Sequence, residues 1–395
     1  MMKLSDYVDI NPKTQLPKGV QVPFVGMDAI TAGRRKVTAN ERREAKGSGA
    51  KFLPGDTLFA RITPCLENGK IAQFSDKDAG LGSTEFFVLR AKPNVSNQDF
   101  VFYFALQKEL RDAAEKSMTG ASGRQRADAS ALKEFECEFP SLPIQRHIAG
   151  ILSAYDELIE NNQRRIRILE EMARSLYREW FVHFRYPGHK SVPLVDSPLG
   201  QIPQGWEVKK LRDVCNLTMG TSPKSEYYNE TGDGLPFHQG VTNFGERFPT
   251  DRLFCTVESR IAEAGDILFS VRAPVGRMNI TDKKIIIGRG VSAIRHKAGH
   301  QAFLWEQLRA KFTEEDMMGN GAIFASVTKD DMQGIELLCP TEQFIKAATR
   351  YFKPLHAEIE VLIKQTANLC RTRDLLLPRL LSGQVELTPE KECLQ

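Results

Sequence analysis

The chain has 395 residues, of which 41% are hydrophobic and 26% charged, and its formal net charge is +4. This composition excludes a disordered or fibrous protein, and the length predicts two domains, because one core rarely extends beyond about 250–300 residues. The N-terminal segment has no apolar run typical of a signal peptide, and no stretch approaches the roughly 18 apolar residues of a membrane span. We therefore expect a cytoplasmic protein.

The first predicted domain covers residues 1–141 and contains a basic segment. Between Thr31 and Lys51 seven cations stand against two anions. The phosphate backbone of DNA attracts such a segment. The phrase Gly55–Ala60 predicts a turn feeding a strand, and a basic turn with two glycines follows at residues 120–126. The candidate DNA contacts of this domain are Arg34, Arg35, Lys36, Arg42, Arg43, Lys46, Arg61, Arg124 and Arg126.

Residues 142–184 predict a central helical spacer. From Ile148 to Trp180 seam residues recur at spacings of three and four, which is the pattern of a coiled coil. At 1.5 Å per residue this helix would measure about 60 Å. An amphipathic helix packed on its own domain is the alternative. Residues 185–204, rich in proline and glycine, predict an extended, irregular linker.

The second predicted domain, residues 205–340, repeats the first. Lys210–Asp213 echoes Lys3–Asp6, and Gly265–Ser270 echoes Gly55–Ala60. Short strands punctuated by glycine and proline, with amphipathic helices at residues 98–117 and 301–317, predict an α+β fold with partly antiparallel sheets. The candidates for base contact are Lys224, Tyr227, Tyr228, Gln239 and Asn243. The candidates for phosphate contact are Arg272, Arg277 and Arg289, and Arg61 and Arg272 each follow the repeated strand.

A second helical spacer, residues 341–383, precedes a short tail, residues 384–395. Its seam superposes on the first at an offset of 204 residues, which aligns polar Asn162 with polar Thr366. Two related helices after two related domains predict an antiparallel coiled coil, with the domains at opposite ends of a rod. The predicted seam residues are Ile151, Tyr155, Leu158, Asn162, Leu355, Ile359, Leu362 and Thr366.

The sequence lacks the usual signatures of catalysis. It contains no phosphate-binding loop, no H-E-x-x-H and no G-x-S-x-G motif. Its cysteines are scattered without a C-x-x-C pair, so we expect reduced thiols that neither form bridges nor bind metal. The cysteines are Cys65, Cys137, Cys215, Cys255, Cys339, Cys370 and Cys393. We therefore predict no catalytic residue and no metal site in this chain.

Four phrases of the sequence resemble the specificity subunit of type I restriction-modification enzymes. They are ARITPCLENGKIA (60–72), GSTEFFVLR (82–90), PLGQIPQGWEVKKL (198–211) and LLLPRLLSGQVEL (375–387). The resemblance implies two target-recognition domains that each read one part of a split, asymmetric DNA site. It also implies helices that dock two methyltransferase subunits and recruit nuclease-translocase subunits. S-adenosylmethionine would bind the methyltransferases and ATP with magnesium the nuclease-translocases, so this chain would hold no cofactor.

Three other functions remain open from the sequence. A single-chain enzyme would need a pocket of clustered titratable groups, which the scattered histidines and cysteines do not suggest. A coiled-coil scaffold without sequence specificity would explain the helices but not the two repeated domains. A DNA-binding module outside restriction would share both features, because a fold does not determine a function.

Overall fold

A computed structural model describes residues 2–17, 19–46, 48–121, 123–313, 326–385 and 387. It divides the chain into two compact units, Met1–Gln163 with Ile363–Gln395, and Arg164–Leu362. The boundary falls within two long helices, so each unit contains one α+β domain and part of each helix. The predicted 384–395 tail lies outside the described residues except for residues 384, 385 and 387.

The first domain combines two sheets with four short helices. Its elements are β1 (Met2–Lys3), α1 (Leu4–Tyr7), β2 (Val8–Ile10), β3 (Gln21–Val25), β4 (Lys36–Val37), β5 (Glu41–Glu44), β6 (Ala50–Phe52), β7 (Thr57–Ala60), β8 (Ile71–Phe74), β9 (Gly80–Gly82), β10 (Phe86–Ala91), α2 (Gln98–Ala105), α3 (Lys108–Lys116), α4 (Ala129–Lys133) and β11 (Glu136–Cys137). The sheet orders are β2-β10-β7-β8-β4 and β5-β3-β9-β6, and β1 pairs with β11. Most pairs are antiparallel, while β3–β9 and β4–β8 are parallel.

The long helix α5 (Leu142–Tyr177) ends in a π-helical turn at Arg178–Val182. The elements that follow are β12 (Leu194–Ser197), β13 (Gly200–Pro203), β14 (Glu207–Lys210), α6 (Leu211–Val214), β15 (Cys215–Met219), β16 (Tyr228–Asn229), β17 (Leu235–His238), β18 (Phe254–Cys255), β19 (Ile261–Ala262), β20 (Ile267–Ser270), β21 (Met278–Ile280), β22 (Ile285–Ile287), β23 (Val291–His296), α7 (Gln301–Thr313), α8 (Lys329–Gly334), β24 (Glu336–Cys339) and α9 (Glu342–Leu381). The sheet orders are β15-β23-β20-β21 and β16-β18-β17-β22-β19. The predicted mixed α+β class of both domains is confirmed.

The repeated phrases have the same local structure in both domains. Asp6 and Asp213 each cap a one-turn helix by accepting from the backbone N–H three residues earlier, at 2.8 and 3.1 Å. Asp56 binds Arg90 at 2.6 Å, and its counterpart Asp266 binds Arg295 at 2.5 Å. The repeated sequence phrases therefore correspond to the same helix caps and ion pairs in both domains.

Two predicted segments differ from the structure. The helix predicted over 98–117 is broken at Leu106–Gln107, where α2 ends and α3 begins. The linker is not irregular, because β12 and β13 form a hairpin. Its turn is held by Ser197 Oγ, which donates to the carbonyl of Gly200 at 2.6 Å and accepts from Leu199 N at 3.2 Å. The 301–317 helix is described only to Thr313, and its remaining positions lie outside the described residues.

The two long helices run antiparallel within each unit, as predicted. In the first unit Ile148 and Leu152 of α5 share a core with Leu380 near the end of α9. In the second unit Tyr177, at the end of α5, shares a core with Ile345 and Phe352, near the start of α9. Burial of these apolar side chains contributes most of the free energy that stabilises each pair of helices.

The predicted offset of 204 residues between the two seams is wrong by one helical turn. Buried positions coincide at an offset of 200, which pairs 152 with 352, 159 with 359 and 173 with 373. Leu158 was assigned to the seam, but 54% of its surface is exposed, and the neighbouring Ile159 is buried. Asn162 is buried and corresponds to Leu362 rather than to Thr366. The remaining predicted seam residues, Ile151, Tyr155, Leu355, Ile359 and Leu362, are buried or half-buried.

In each domain a buried arginine lies over an aromatic ring close to a long helix. The Arg35 carbonyl accepts from strand β8 at Gln73 N (2.7 Å), and the Arg247 carbonyl accepts from β21 at Ile280 N (2.8 Å). The Arg35 guanidinium lies over the ring of Tyr103, whose hydroxyl donates to Asp156 of α5 at 2.5 Å.

Arg247 occupies the equivalent place in the second domain. Its guanidinium lies over the ring of Trp305 and donates to His356 Nδ1 on α9. His356 Nε2 lies 3.0 Å from the carboxylate of buried Glu306 on α7. Asp156 and His356 are 200 residues apart, so the same helix position receives both domains, with a carboxylate in one unit and an imidazole in the other.

Candidate DNA interface

Three loops of the second domain converge on the turn Gly288–Gly290, hereafter the reading turn. Its backbone N–H groups donate to the carbonyls of His238 and Gln239, both at 2.9 Å, and its Gly290 carbonyl accepts from Val271 N at 3.0 Å. Arg289 N donates to Ser222 Oγ at 3.3 Å. The reading turn therefore holds together the ends of β15, β17 and β20.

Glycine is required where these loops approach each other. A Cβ on Gly288 would lie 2.7 Å from Cα of Gln239, and a Cβ on Gly220 would lie 2.2 Å from the Gly288 carbonyl. Both distances are too short for non-bonded atoms, so any side chain would push the loops apart. The close approach fixes the backbone that carries the Arg289 side chain.

The converging loops carry three exposed arginines. Within the part of the chain that the structure describes, Arg272, Arg277 and Arg289 have no ion-pair partner. Nearby lysines do have one, since Lys283 lies 2.7 Å from Asp251 and Lys284 lies 2.9 Å from Glu258. As far as the described residues go, the loop cluster therefore carries positive charge without ion-pair partners, and such charge can attract phosphate groups.

The other second-domain candidates divide into supporting and accessible residues. Tyr228 supports the loops, because its ring packs on Phe237 and its hydroxyl donates to the Pro223 carbonyl at 2.6 Å. Gln239 and Tyr227 are exposed. The remaining two candidates are exposed Lys224, whose ammonium lies 3.9 Å from Glu226, and half-buried Asn243.

Sequence reasoning missed Arg260, an exposed residue at the edge of the loop cluster. Its carbonyl accepts from Ile287 N at 2.9 Å, directly before the reading turn. Its neighbour Ser259 shares a hydrogen bond with Thr221, with 2.9 Å between the hydroxyl oxygens. The only sequence signal was a single arginine before a short strand, which does not distinguish a binding residue from an ordinary surface charge.

Much of the basic segment of the first domain is neutralised by ion pairs. Arg43 lies 2.6 Å from Glu41, and Lys46 lies 2.6 Å from Glu44. Two further pairs involve acids that are distant in sequence, Arg42 with Asp78 at 3.5 Å and Lys36 with Glu160 at 3.3 Å. The count of charges along the sequence therefore overestimated the net positive charge of this segment. Arg34 is exposed at the start of the same segment.

Two first-domain candidates have structural roles. Arg35 is 6% exposed, and its guanidinium lies 2.6 Å from Asp99. Arg61 turns inward over the ring of Phe87 and donates to the Ala127 carbonyl at 3.0 Å. These contacts tie Arg35 and Arg61 to the interior of the first domain, and their assignment as DNA contacts stays a prediction. Strand register also pairs Arg61 with Val271 rather than with Arg272.

The turn at residues 119–126 keeps its two candidate arginines at the surface. Arg124 is exposed and has no ion-pair partner among the described residues. Arg126 forms a two-point ion pair with Glu85, at 2.7 and 2.9 Å. Glu85 occupies the position of Gly290 in the second domain, because Arg61 N donates to its carbonyl as Val271 N does to that of Gly290. Exposed Thr84 therefore corresponds to Arg289.

The described residues contain no cluster of three or more His, Cys, Asp or Glu side chains that could hold a metal ion. His238 lies beneath the reading turn, and burial lowers its pKa, although its Nε2 lies 3.1 Å from Asp251.

No helix in the described ranges is both long and apolar enough to cross a membrane. Six cysteines are free, and Cys393 lies outside the described residues.

A family model for the type I restriction modification DNA specificity domain matches residues 2–171 and 203–367. The chain belongs to this family. The two matches cover the two repeated domains and most of both long helices. The family assignment therefore agrees with the resemblance stated from the sequence, and the chain is a type I specificity subunit with DNA-recognition domains.

Named relatives of this specificity subunit cover most of its length. A Methanocaldococcus jannaschii protein named as the MjaX specificity subunit of a type I restriction enzyme is 28% identical over 342 residues, which cover 85% of this chain and 80% of that protein. The HindI specificity subunit of Haemophilus influenzae is 23% identical over 418 residues, covering 87% and 89%. The S subunit structure from M. genitalium shares the fold, with a TM-score of 0.60, 17% identity and coverage of 98% and 96%.

Proposed function

We propose that this chain reads a bipartite, asymmetric DNA site and performs no chemistry itself. The observation that carries the proposal is the position shared by Thr84 and Arg289. The two domains present the same loop at the same place in their sheets. One loop carries a hydroxyl beside a paired carboxylate, and the other carries a guanidinium without an ion-pair partner among the described residues. Two domains that share one fold but differ in the side chains of this loop are suited to bind two half-sites of different sequence.

The long helices provide the surface for the partner subunits in this proposal. They dock two methyltransferase subunits, which hold S-adenosylmethionine, and recruit nuclease-translocase subunits, which hold ATP and magnesium. The recognition domains then bring those active sites to the DNA. Phosphate contacts from Arg272 and Arg277 would set position, and base contacts would set sequence. Such a complex acts on DNA in the cytoplasm.

Exchange of residues 205–340 tests the division of labour. The chain is expressed with its methyltransferase subunit, and the methylated positions of the host genome are sequenced. We expect replacement by a recognition domain from another specificity subunit to change one half-site and leave the other intact. A change in both half-sites would contradict two independent reading domains. Methyl transfer by the purified chain alone would contradict its non-catalytic role.

A further inference from the structure

The reading turn, which carries Arg289, is held by hydrogen bonds to other segments of the second domain. Its three residues bond to the backbone or side chains of three separate segments, those at Ser222, His238–Gln239 and Val271. Arg272 and Arg277 belong to the loop between β20 and β21, in which Arg277 N donates to Ser270 Oγ at 2.8 Å. The Arg289 backbone is therefore held by three other segments, whereas that of Arg277 is held by Ser270 of its own hairpin.

Base contacts and phosphate contacts require different things of an arginine. Base edges form the floor of the major groove, and phosphates line its two sides. Base recognition needs donors at fixed positions, whereas a phosphate contact tolerates a mobile side chain. Arginine presents a planar fork that matches the O6 and N7 acceptors of guanine.

We propose that Arg289 is the base-reading residue of the second domain and that it recognises a G·C pair, with Arg277 contacting phosphate. This deepens the function proposed above and rests on it. Gln239 is exposed beside the reading turn and donates no side-chain bond within the described residues. It extends the polar surface next to the fork. No described carboxylate pairs with Arg289, so its donors are available to DNA.

The test uses the chain copurified with its methyltransferase subunit, and its probe is a library of duplexes randomised over both half-sites. Binding followed by sequencing gives the preference at each base pair. We expect Arg289→Ala to reduce discrimination at one G·C pair of one half-site by roughly 10- to 100-fold. Arg289→Lys keeps the charge but lacks the two-point fork, so it should lose most of the same discrimination.

Arg277→Ala is the matched control. It should weaken binding to all sequences about equally and reduce the slope of log affinity against log salt by about one. Full discrimination by Arg289→Lys, or a uniform loss in Arg289→Ala with the reduced salt slope, would overturn the base-reading role. Absence of any sequence preference in the unaltered complex would instead overturn the proposed function itself. Because Arg289 is exposed, unchanged thermal unfolding of each variant shows that its fold is intact.

Discussion

Arg373 is a charged residue at a buried position of α9, and its charge is compensated locally. Its guanidinium lies 2.5 Å from Asp156 of α5 and donates to the Gly33 carbonyl at 3.1 Å. Both side chains of the ion pair are less than 10% exposed. The α5–α9 contact in the first unit therefore includes a buried ion pair, in which each charge depends on the other.

Arg373→Met should destabilise the first unit strongly. The methionine fills similar space but leaves the Asp156 carboxylate without its cation, which costs about 3–5 kcal/mol. All three tryptophans, Trp180, Trp206 and Trp305, lie in the second unit. The loss should therefore appear in far-ultraviolet circular dichroism as an early denaturation step that tryptophan fluorescence does not report. Arg371→Met, at an exposed position two residues earlier, is the control, and equal effects of the two variants would contradict the ion-pair argument.

Residue types alone could not separate the exposed arginines, which are the candidates for DNA contact, from the buried ones. Arg35 and Arg289 are equally basic in sequence, but one lies under Tyr103 and beside Asp99 while the other lies on an exposed turn. Asp99 is 64 residues from Arg35, and Asp78 is 36 residues from Arg42. Compensation by acids so distant in sequence becomes visible only when the strands are paired.

At the scale of elements, the sequence predicted the long helices and their antiparallel pairing well. It predicted their relative register poorly, because a shift of four residues moves a helix pattern by about one turn and leaves apolar positions facing the same side. The burial of Ile159 and exposure of Leu158 decide the register. Contacts between a recognition domain and the helix, such as the hydrogen bond from Tyr103 to Asp156, also determine which turn of α5 faces that domain.

Ile159→Asp and Leu158→Asp form a matched pair that tests this register. Ile159→Asp places an unpaired charge in the buried seam and should cost more than about 4 kcal/mol of unfolding free energy. Leu158→Asp adds a charge to an exposed surface and should change it by no more than about 0.5 kcal/mol. Chemical denaturation followed by circular dichroism measures both. Similar losses of unfolding free energy in the two variants would show that Leu158 belongs to the buried seam after all.

At the scale of the whole molecule, the two units should differ in their response to acid. Six of the seven histidines belong to the second unit. Burial lowers the pKa of His238 and His356, and burial together with His300 lowers that of His296 to about 4. The groups facing His356 are Arg247, Arg309 and Glu306, of which the two arginines lower its pKa further and Glu306 raises it.

The sign of the effect follows from proton binding. Between the lowered folded pKa values and the ordinary value of about 6.5, the unfolded chain binds more protons than the folded one. The stability of the second unit should therefore fall as the pH decreases from 7.5 to 5.5. Thermal unfolding followed by tryptophan fluorescence measures this unit alone. His356→Gln can still accept from Arg247 and donate to Glu306 but does not titrate, so its loss over this pH range should be smaller. An undiminished loss would contradict a contribution from His356.

The different helix partners of the two domains restrict how recognition domains can be exchanged. Glu306 of the second domain corresponds to Tyr103 of the first, and each lies against the helix position that holds His356 or Asp156. A second domain grafted onto the first position would replace the hydrogen bond from Tyr103 to Asp156 by two buried carboxylates, Glu306 and Asp156. These repel each other to the extent that Arg247 and Arg373 do not compensate both charges. A recognition domain should therefore be exchangeable with domains from the same half of other specificity subunits more readily than with domains from the other half. A domain that moves from one half of the chain to the other would need a compensating change on the helix that receives it.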